Sequence, residues 1–401
     1  MTDRVLFYVQ HLLGVGHLKR AGAIAAAMAK AGLAVTVVHG GTWEEGIDYP
    51  GAEVRTLPSA TIRGGDFSTL ITANGAPADE AWRAARRDAL LAIADELRPQ
   101  AILLELFPFG RRQFRFELLP LIEAARRRET PPAILSSVRD ILVRPAKASR
   151  ETEAADLVLA AFDEVLVHGD PGFVPFEASF GEAARIAAKL RYTGYVSSDL
   201  AALHPSTRAD PQGEGAGEVI VSAGGGAVGA TLLRAALAAR TRSAAHRLDW
   251  RLLTGPRLPQ PDFDALAALA RDAANDAGGR VRIERFRQDF PAVLQRAALS
   301  ISQGGYNTTI DLLRAGVPAI VVPIGAEEET EQAERAGRLA ERGFLHVLPE
   351  ASLATELGAA IDRALADAPR RRAMPPVDFA LDGAARTAAI VADHAARHRG
   401  G

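Results

Sequence analysis

Apolar residues arrive in short bursts separated by stretches with helical spacing. Residues 4–10, RVLFYVQ, form a burst of strand length; LKRAGAIAAAMAKAG, 18–32, follows with apolar positions at helical intervals and a closing Gly32. LAVTVVHGG, 33–41, is a second burst ending in glycines. Strand, loop, helix, strand is a βαβ unit, which brings parallel strands and a right-handed crossover. The alternation continues with helices over 79–97 and 116–128 and strands over 101–106, 133–138, 164–169 and 191–196.

The pattern then stops. Residues 197–217, SSDLAALHPSTRADPQGEGAG, have no periodicity and read as a linker. It restarts with strand EVIVSA (218–223), the turn GGGAVG, a helix ATLLRAALAAR and strand WRLLTG (250–255). A helix from Phe263, strands VRIERF (281–286) and LSISQG (299–304), a helix over 307–315 and strand PAIVVP (318–323) follow. Two α/β domains are expected, 1–196 and 218–382. A last helix within 383–401 either crosses back to the first domain or packs on the second. Both halves open with strand, glycine-rich loop and helix. Two such domains would leave a cleft, with ligands beyond the carboxyl ends of the strands. Residues 61–78 read as a polar, glycine-containing loop above it.

Composition narrows the function. A length of 401 residues suits two domains, and a net charge of -2 gives no electrostatic case for nucleic acid. The absence of cysteine excludes disulfides, iron–sulfur clusters and thiolate zinc sites. No apolar run approaches the roughly 20 residues of a membrane span. The first apolar run is too short for a signal peptide, so the cytoplasm is the expected compartment.

Three glycine-rich turns carry the candidate chemistry. In GVGHLKR, Gly14 and Gly16 admit a sharp turn and a close ligand, and His17 falls near a helix N-terminus. Lys19 and Arg20 oppose the helix dipole there unless an acid or anion lies nearby. His17 is a catalytic base or merely a polar residue at the turn. SAGGGAVGA, 222–230, resembles a phosphate-cradling turn, though glycine-rich connections are common in such domains. SQGGYNTTIDLLRAGVPAIVVP is more specific. It places two glycines and a cap, Asn307 or Thr308, before a helix whose N-terminal N–H groups suit a diphosphate. Asp311 could meet a ribose diol or simply complement the helix dipole. Glu331 and Gln332 lie over the pocket or on a solvated helix start. Asp262 and Asp264 read as helix capping rather than metal ligands, with Asp262 the N-cap. The histidines show no metal-ligand spacing, and no metal or cofactor is expected. HGDPG, 168–172, reads as a turn.

With FYVQHLLGVGHLKR, FPFGRR, SSVRD, VHGDP, LLTGP, SQGGYNT and EQAERAGRLAERG, the chain resembles the two-domain nucleotide-sugar glycosyltransferases called GT-B. It is most similar to the group containing the UDP-N-acetylglucosamine transferase of peptidoglycan lipid synthesis and predicted bacterial relatives. The resemblance implies two Rossmann-like parallel-sheet domains facing a cleft. It makes His17 the base that deprotonates the acceptor hydroxyl. It places Gly225 and Gly226 near the donor, Phe286 at the nucleobase, and Gly304, Gly305, Asn307 and Thr308 at the pyrophosphate. Asp311 stands where relatives carry a ribose-binding glutamate, and Glu331 and Gln332 approximate a sugar-binding Gln-Gln pair across a one-residue gap. The first loop is less glycine-rich than in the peptidoglycan enzyme, so the acceptor does not transfer.

The function implied is an inverting, metal-independent transfer from a nucleotide-sugar donor, a UDP-sugar by resemblance, to a glycan or lipid-linked acceptor. Asp140 in SSVRD and Glu105 in LLELF are both candidates for the acid that orients His17, and Asp140 is the one expected there. Arg111 and Arg112, interleaved with Phe109, Phe114 and Phe116, are assigned to the acceptor side, where with Arg115 they allow peripheral contact with the inner face of a membrane. Phe114 and Phe116 read better as core, and the arginines are either this patch or simply solvated. A nucleotide-sugar hydrolase is the alternative, because GxGHxxR openings also occur in the UDP-sugar hydrolase of pseudaminic acid synthesis. A 2-epimerase and a non-catalytic sugar-nucleotide-binding protein are the remaining options.

Overall fold

The computed structural model describes residues 2–12, 16–44, 46–63, 66–143, 147–196, 213–223, 229–287, 289–323, 331–375 and 380–398. The chain forms two compact units, Met1–Ser198 with Phe379–Gly401, and Asp199–Asp378. The expected turns of Gly14, Gly225 and Gly226 lie outside the described residues, as does most of the 197–217 linker.

The first unit is built on a seven-stranded sheet. Its strands are β1 (Arg4–Val9), β2 (Ala34–His39), β3 (Glu53–Thr56), β6 (Ala101–Glu105), β7 (Ala133–Arg139), β8 (Glu164–His168) and β9 (Leu190–Tyr192). They lie in the order β3-β2-β1-β6-β7-β8-β9, all parallel. The central strands are apolar on both faces because helices cover both. On one face α2 (Glu80–Leu97), α3 (Arg115–Arg126) and α4 (Ser149–Ala161) enclose a core with Leu6, Ile102, Leu104, Ile134 and Val165. On the other, α1 (Gly16–Lys30) and α12 (Gly383–Arg397) pack Leu18, Ile24 and Met28 with Ala384, Ala388 and Val391 against Val5, Phe7 and Leu103. The last helix therefore belongs to the first unit. Its return begins before Gly383, since Tyr195 N donates to Ala380 O at 2.8 Å.

Residues 60–72 are not a loop. β4 (Ala60–Arg63) and β5 (Asp66–Thr72) form an antiparallel hairpin with a register irregularity between Thr61 and Arg63, and Ala60, Ile62 and Leu70 join the core. The expected strand 191–196 is cut short at Tyr192, because Gly194 turns the backbone at φ +81°.

The second unit has six parallel strands: β10 (Val219–Ser222), β11 (Trp250–Leu253), β12 (Val281–Glu284), β13 (Leu299–Ser302), β14 (Ala319–Val321) and β15 (His346–Val347). Their order is β12-β11-β10-β13-β14-β15. Helices α5 (Ala230–Arg240), α6 (Gln260–Ala277), α7 (Phe290–Arg296), α8 (Tyr306–Ala315), α9 (Glu331–Glu341), α10 (Leu353–Ala366) and α11 (Ala368–Ala373) complete it. Helix α6 starts earlier than Asp262. Pro259 is its cap and Pro261 lies in its first turn, which leaves Asp262 inside the helix facing Arg234 at 3.4 Å. No helix among the described residues is long and apolar enough to cross a membrane.

Each sheet has one point where the chain leaves a central strand in opposite directions. In the first unit it is between β1 and β6, in the second between β10 and β13. The loops beyond such a point diverge, which opens a crevice at the carboxyl ends of the strands. Both candidate sites are at these points.

Candidate functional site

In the first unit, β1 pairs with β6 so that Tyr8 stands opposite Leu104, and Glu105 closes β6 beside the turn into α1. The apolar run Ala101–Leu104 carries this carboxylate into the interior, where it is 1% exposed. His17, in the first turn of α1, meets it: His17 Nδ1 lies 2.7 Å from Glu105 Oε1. A carboxylate only accepts, so Nδ1 carries the hydrogen and Nε2 keeps the lone pair that can take a proton. Arg20, three residues on and on the same helix face, donates from Nη2 to the same oxygen at 2.5 Å and lies 3.0 Å from His17 Nδ1. An arginine in the first turn of a helix opposes its dipole; Glu105 supplies the compensating acid.

Asp140 is not the partner of His17. It closes the turn after β7, accepting from Ile141 N at 2.9 Å and from the Tyr195 hydroxyl at 3.2 Å. The carboxylate on His17 Nδ1 is that of Glu105. Burial lowers the His17 pKa to about 4, outweighing the upward pull of Glu105, with Arg111 and Arg20 lowering it further. The Glu105 carboxyl stays well below the usual range: desolvation raises it, but His17, Arg20 and Arg111 together lower it more. At neutral pH the group is an uncharged imidazole on a charged carboxylate.

The arginines after β6 are not an open cationic patch. Arg111 is largely buried, with Nε donating to Gln10 O at 2.7 Å and Nη2 3.8 Å from Glu105 Oε2. Arg112 and Arg115 both reach Glu153, at 2.5 and 2.8 Å. Phe114 is fully buried and Phe116 packs beside the same core; Phe109 meets Phe176 and Phe180 edge-on. Sequence alone gave no sign of another buried group, His168, held between Ser137 Oγ at 2.7 Å and Thr193 Oγ1 at 2.9 Å.

In the second unit, β13 ends at Ser302 and the chain turns through Gln303, Gly304 and Gly305 into α8. Gly304 sits at φ +79°, and a Cβ there would lie 2.3 Å from Val321 Cγ1. Only glycine meets both demands. The cap of α8 is Gly305, not Asn307 or Thr308, and no side chain bonds back to it; both polar residues are in the first turn. Helix geometry leaves the first N–H groups without intrahelical partners and the dipole positive at this end, an arrangement suited to a diphosphate. Asp311 lies beyond the first turn and is 8% exposed, so it is not a first-turn dipole acid. Glu331 is likewise buried rather than solvated. It begins α9 and lies 3.6 Å from Arg335, whose guanidinium stands 5.4 Å from the centre of the Tyr306 ring. That contact brings the starts of α8 and α9 together. Gln332 follows, half-buried. Phe286 lies two residues beyond β12 and is 42% exposed.

Gly304→Ala is expected to destabilise this unit by about 2–4 kcal/mol, from left-handed strain and overpacking together. A urea titration of Gly304→Ala against Gly304→Ala/Val321→Ala checks it. The second change should recover the overpacking part only; equal midpoints for the single variant and wild type would refute the steric account.

Residues 220–387 match the model of the glycosyltransferase family 28 C-terminal domain. A UDP-N-acetylglucosamine–N-acetylmuramyl-(pentapeptide) pyrophosphoryl-undecaprenol N-acetylglucosamine transferase of Xanthomonas campestris pv. campestris (strain B100) is 30% identical over 251 residues, 61% of this chain and 53% of that protein. A transferase of the same name from Alkalilimnicola ehrlichii is 32% identical over 130 residues, 31% of this chain and 36% of that protein. The chain thus spans about a third to a half of these two relatives. Among solved structures, Acinetobacter baumannii MurG aligns with a TM-score of 0.60 at 15% identity, covering 98% of this chain and 99% of that one. The calicheamicin glycosyltransferase CalG4 aligns with a TM-score of 0.58 at 17% identity, covering 99% and 96%. The fold is GT-B, and the chain resembles the UDP-N-acetylglucosamine transferase group.

Proposed function

We propose that this GT-B protein is an inverting glycosyltransferase that moves a sugar from a nucleotide diphosphate, a UDP-sugar, to a hydroxyl of a glycan or lipid-linked acceptor. The observation that carries the reading is the His17–Glu105 pair at the switch point of the first sheet: a partly buried, uncharged imidazole with Nδ1 fixed on a carboxylate. Such a group is arranged to accept a hydroxyl proton at Nε2 while the oxygen attacks the anomeric carbon. The family match over the second unit, and the transferase names of the relatives, support the donor half.

In this reading the donor diphosphate lies at the start of α8, on the Gly304–Gly305 turn. Developing charge on the leaving phosphate is met there by N–H groups and the helix dipole, so the proposed reaction needs neither metal nor cofactor. Asp311 takes the ribose hydroxyls, Phe286 meets the nucleobase, and Glu331 and Gln332 meet the sugar. Asn307 and Thr308 contribute their first-turn N–H groups. The acceptor approaches His17 over the turn containing Gly14 and Gly16, with Arg112 at the margin. Peripheral contact with the inner face of a membrane belongs to the same proposal, because the relatives named above act on a pyrophosphoryl-undecaprenol lipid.

The test is a panel of UDP-, GDP- and dTDP-sugars, each with and without membrane lipid extract, followed by nucleotide release and mass analysis of the products. Release that requires the extract, with a product heavier by one sugar, is expected. Release without any acceptor would instead identify a nucleotide-sugar hydrolase using His17 to activate water.

A further inference from the structure

Glu105 poses a chemical difficulty for the base it orients. A carboxylate 2.7 Å from an imidazole normally favours the imidazolium, and an imidazolium cannot accept a hydroxyl proton. Here the same oxygen, Oε1, also takes a hydrogen bond from Arg20, whose side chain is 2% exposed. We propose that Arg20 is a positioning residue for the base: it supplies countercharge to Glu105 and so adds to the burial that keeps His17 uncharged, letting the carboxylate orient the imidazole without protonating it. The inference rests on the transferase reading for the role of His17, but the charge state it assigns exists without substrate.

The surroundings agree. From β6 the imidazole faces Glu105, from its own helix Arg20, and from the turn after β6 Arg111. Behind these, Arg139 at the end of β7 acts on Arg111, and His168 at the end of β8 is held uncharged by burial, with Arg20 adding to the effect. Burial, with Glu105 adding to it, pushes the Tyr49 hydroxyl up, so it keeps its proton. Among the described residues that act on His17, Arg20 and Arg111 already outweigh the one carboxylate, so a proton on His17 would add to a net positive charge. Without Arg20, Arg111 stays 3.8 Å from Oε2 while Oε1 keeps the His17 hydrogen bond, which favours a proton on the imidazole. The arrangement makes the base weaker and keeps it available, since solvent protons do not occupy Nε2 at neutral pH. Lysine at this position keeps the charge; glutamine keeps a hydrogen bond to Glu105 but not the charge.

The experiment is a pH titration of the full chain labelled with nitrogen-15, with the His17 ring signals assigned by their loss in His17→Gln. In wild type, His17 should remain neutral with its hydrogen on Nδ1 between about pH 5 and 8. In Arg20→Gln its midpoint should rise by about one unit or more, a tenfold gain in proton affinity, and Arg20→Lys should stay near wild type. An unshifted midpoint in folded Arg20→Gln overturns the proposal. So does a His17 that is already protonated at about pH 6 in wild type, which decides the matter even if the glutamine variant does not fold. A neutral His17 that becomes protonated in Arg20→Gln, in a protein without acceptor-dependent turnover, would support the role of Arg20 and count against the transferase reading alone.

Discussion

His17→Ala is expected to lower kcat for transfer by about 10²–10⁴-fold, the usual range for loss of a positioned general base. Donor affinity should change little, because the donor is assigned to the second unit. The pH profile of the wild type gives this prediction its sharper form. Transfer needs the uncharged imidazole, and its pKa is held down at about 4 rather than the ordinary 6.5. The acid limb of kcat/KM should therefore be missing near pH 6.5, with the rate falling only as pH drops toward 4 and His17 gains its proton. Steady-state rates from acid to neutral pH, wild type beside His17→Ala, check both parts. A full-strength acid limb at the ordinary histidine value would mean that the titrating group is elsewhere or less buried.

The second large effect is on stability. Arg86 is fully buried under the first sheet, with Nε 2.7 Å from Glu117 Oε2, Nη1 2.8 Å from Gly40 O and Nη2 2.6 Å from Gln10 Oε1. Glu117 also accepts from the Tyr8 hydroxyl at 2.5 Å. Arg86→Ala removes the only guanidinium bonded to Glu117 among the described residues, and should cost about 3–5 kcal/mol of first-unit stability, since the uncompensated carboxylate stays in the core. Replacing the pair together, Arg86→Met with Glu117→Leu, should cost clearly less, because no buried charge is left behind. Denaturant midpoints of the three proteins test this, and equal losses for the single and paired changes would contradict it. Gln10 links this network to the site, because its carbonyl holds Arg111 beside Glu105.

Element order was legible because bursts of strand length alternate with helical spacing, and each glycine-rich turn marks where a strand hands over to a helix. Strand order was not. Glu105 and Asp140 looked equivalent along the chain, each near the end of an apolar strand. What separates them is that β6 neighbours β1 while β7 is one strand further away. That depends on pairing between distant segments, Val5 opposite Ala101, which no local pattern reports. The 60–72 hairpin was hidden by its register irregularity and by paired glycines, which mask the alternation of Ile62 and Leu70 with polar neighbours. The start of α6 was misplaced because an aspartate before an apolar run looks like a cap, whereas Pro261 already lies in the first turn. Lys19 and Arg20 were visible as cations opposing the dipole at a helix start, unfavourable unless an acid or anion lay nearby. The sequence posed that requirement, and Glu105 meets it.

The central claim is a single displacement, in which a hydroxyl deprotonated by His17 attacks the anomeric carbon as the diphosphate leaves. The most direct measurement is the anomeric configuration of the transferred sugar, read by proton NMR on the product of the donor and acceptor pair that supports turnover. Inversion relative to the donor is the predicted result. A product that keeps the donor's configuration would contradict the account, because direct attack from the face opposite the leaving group cannot retain it.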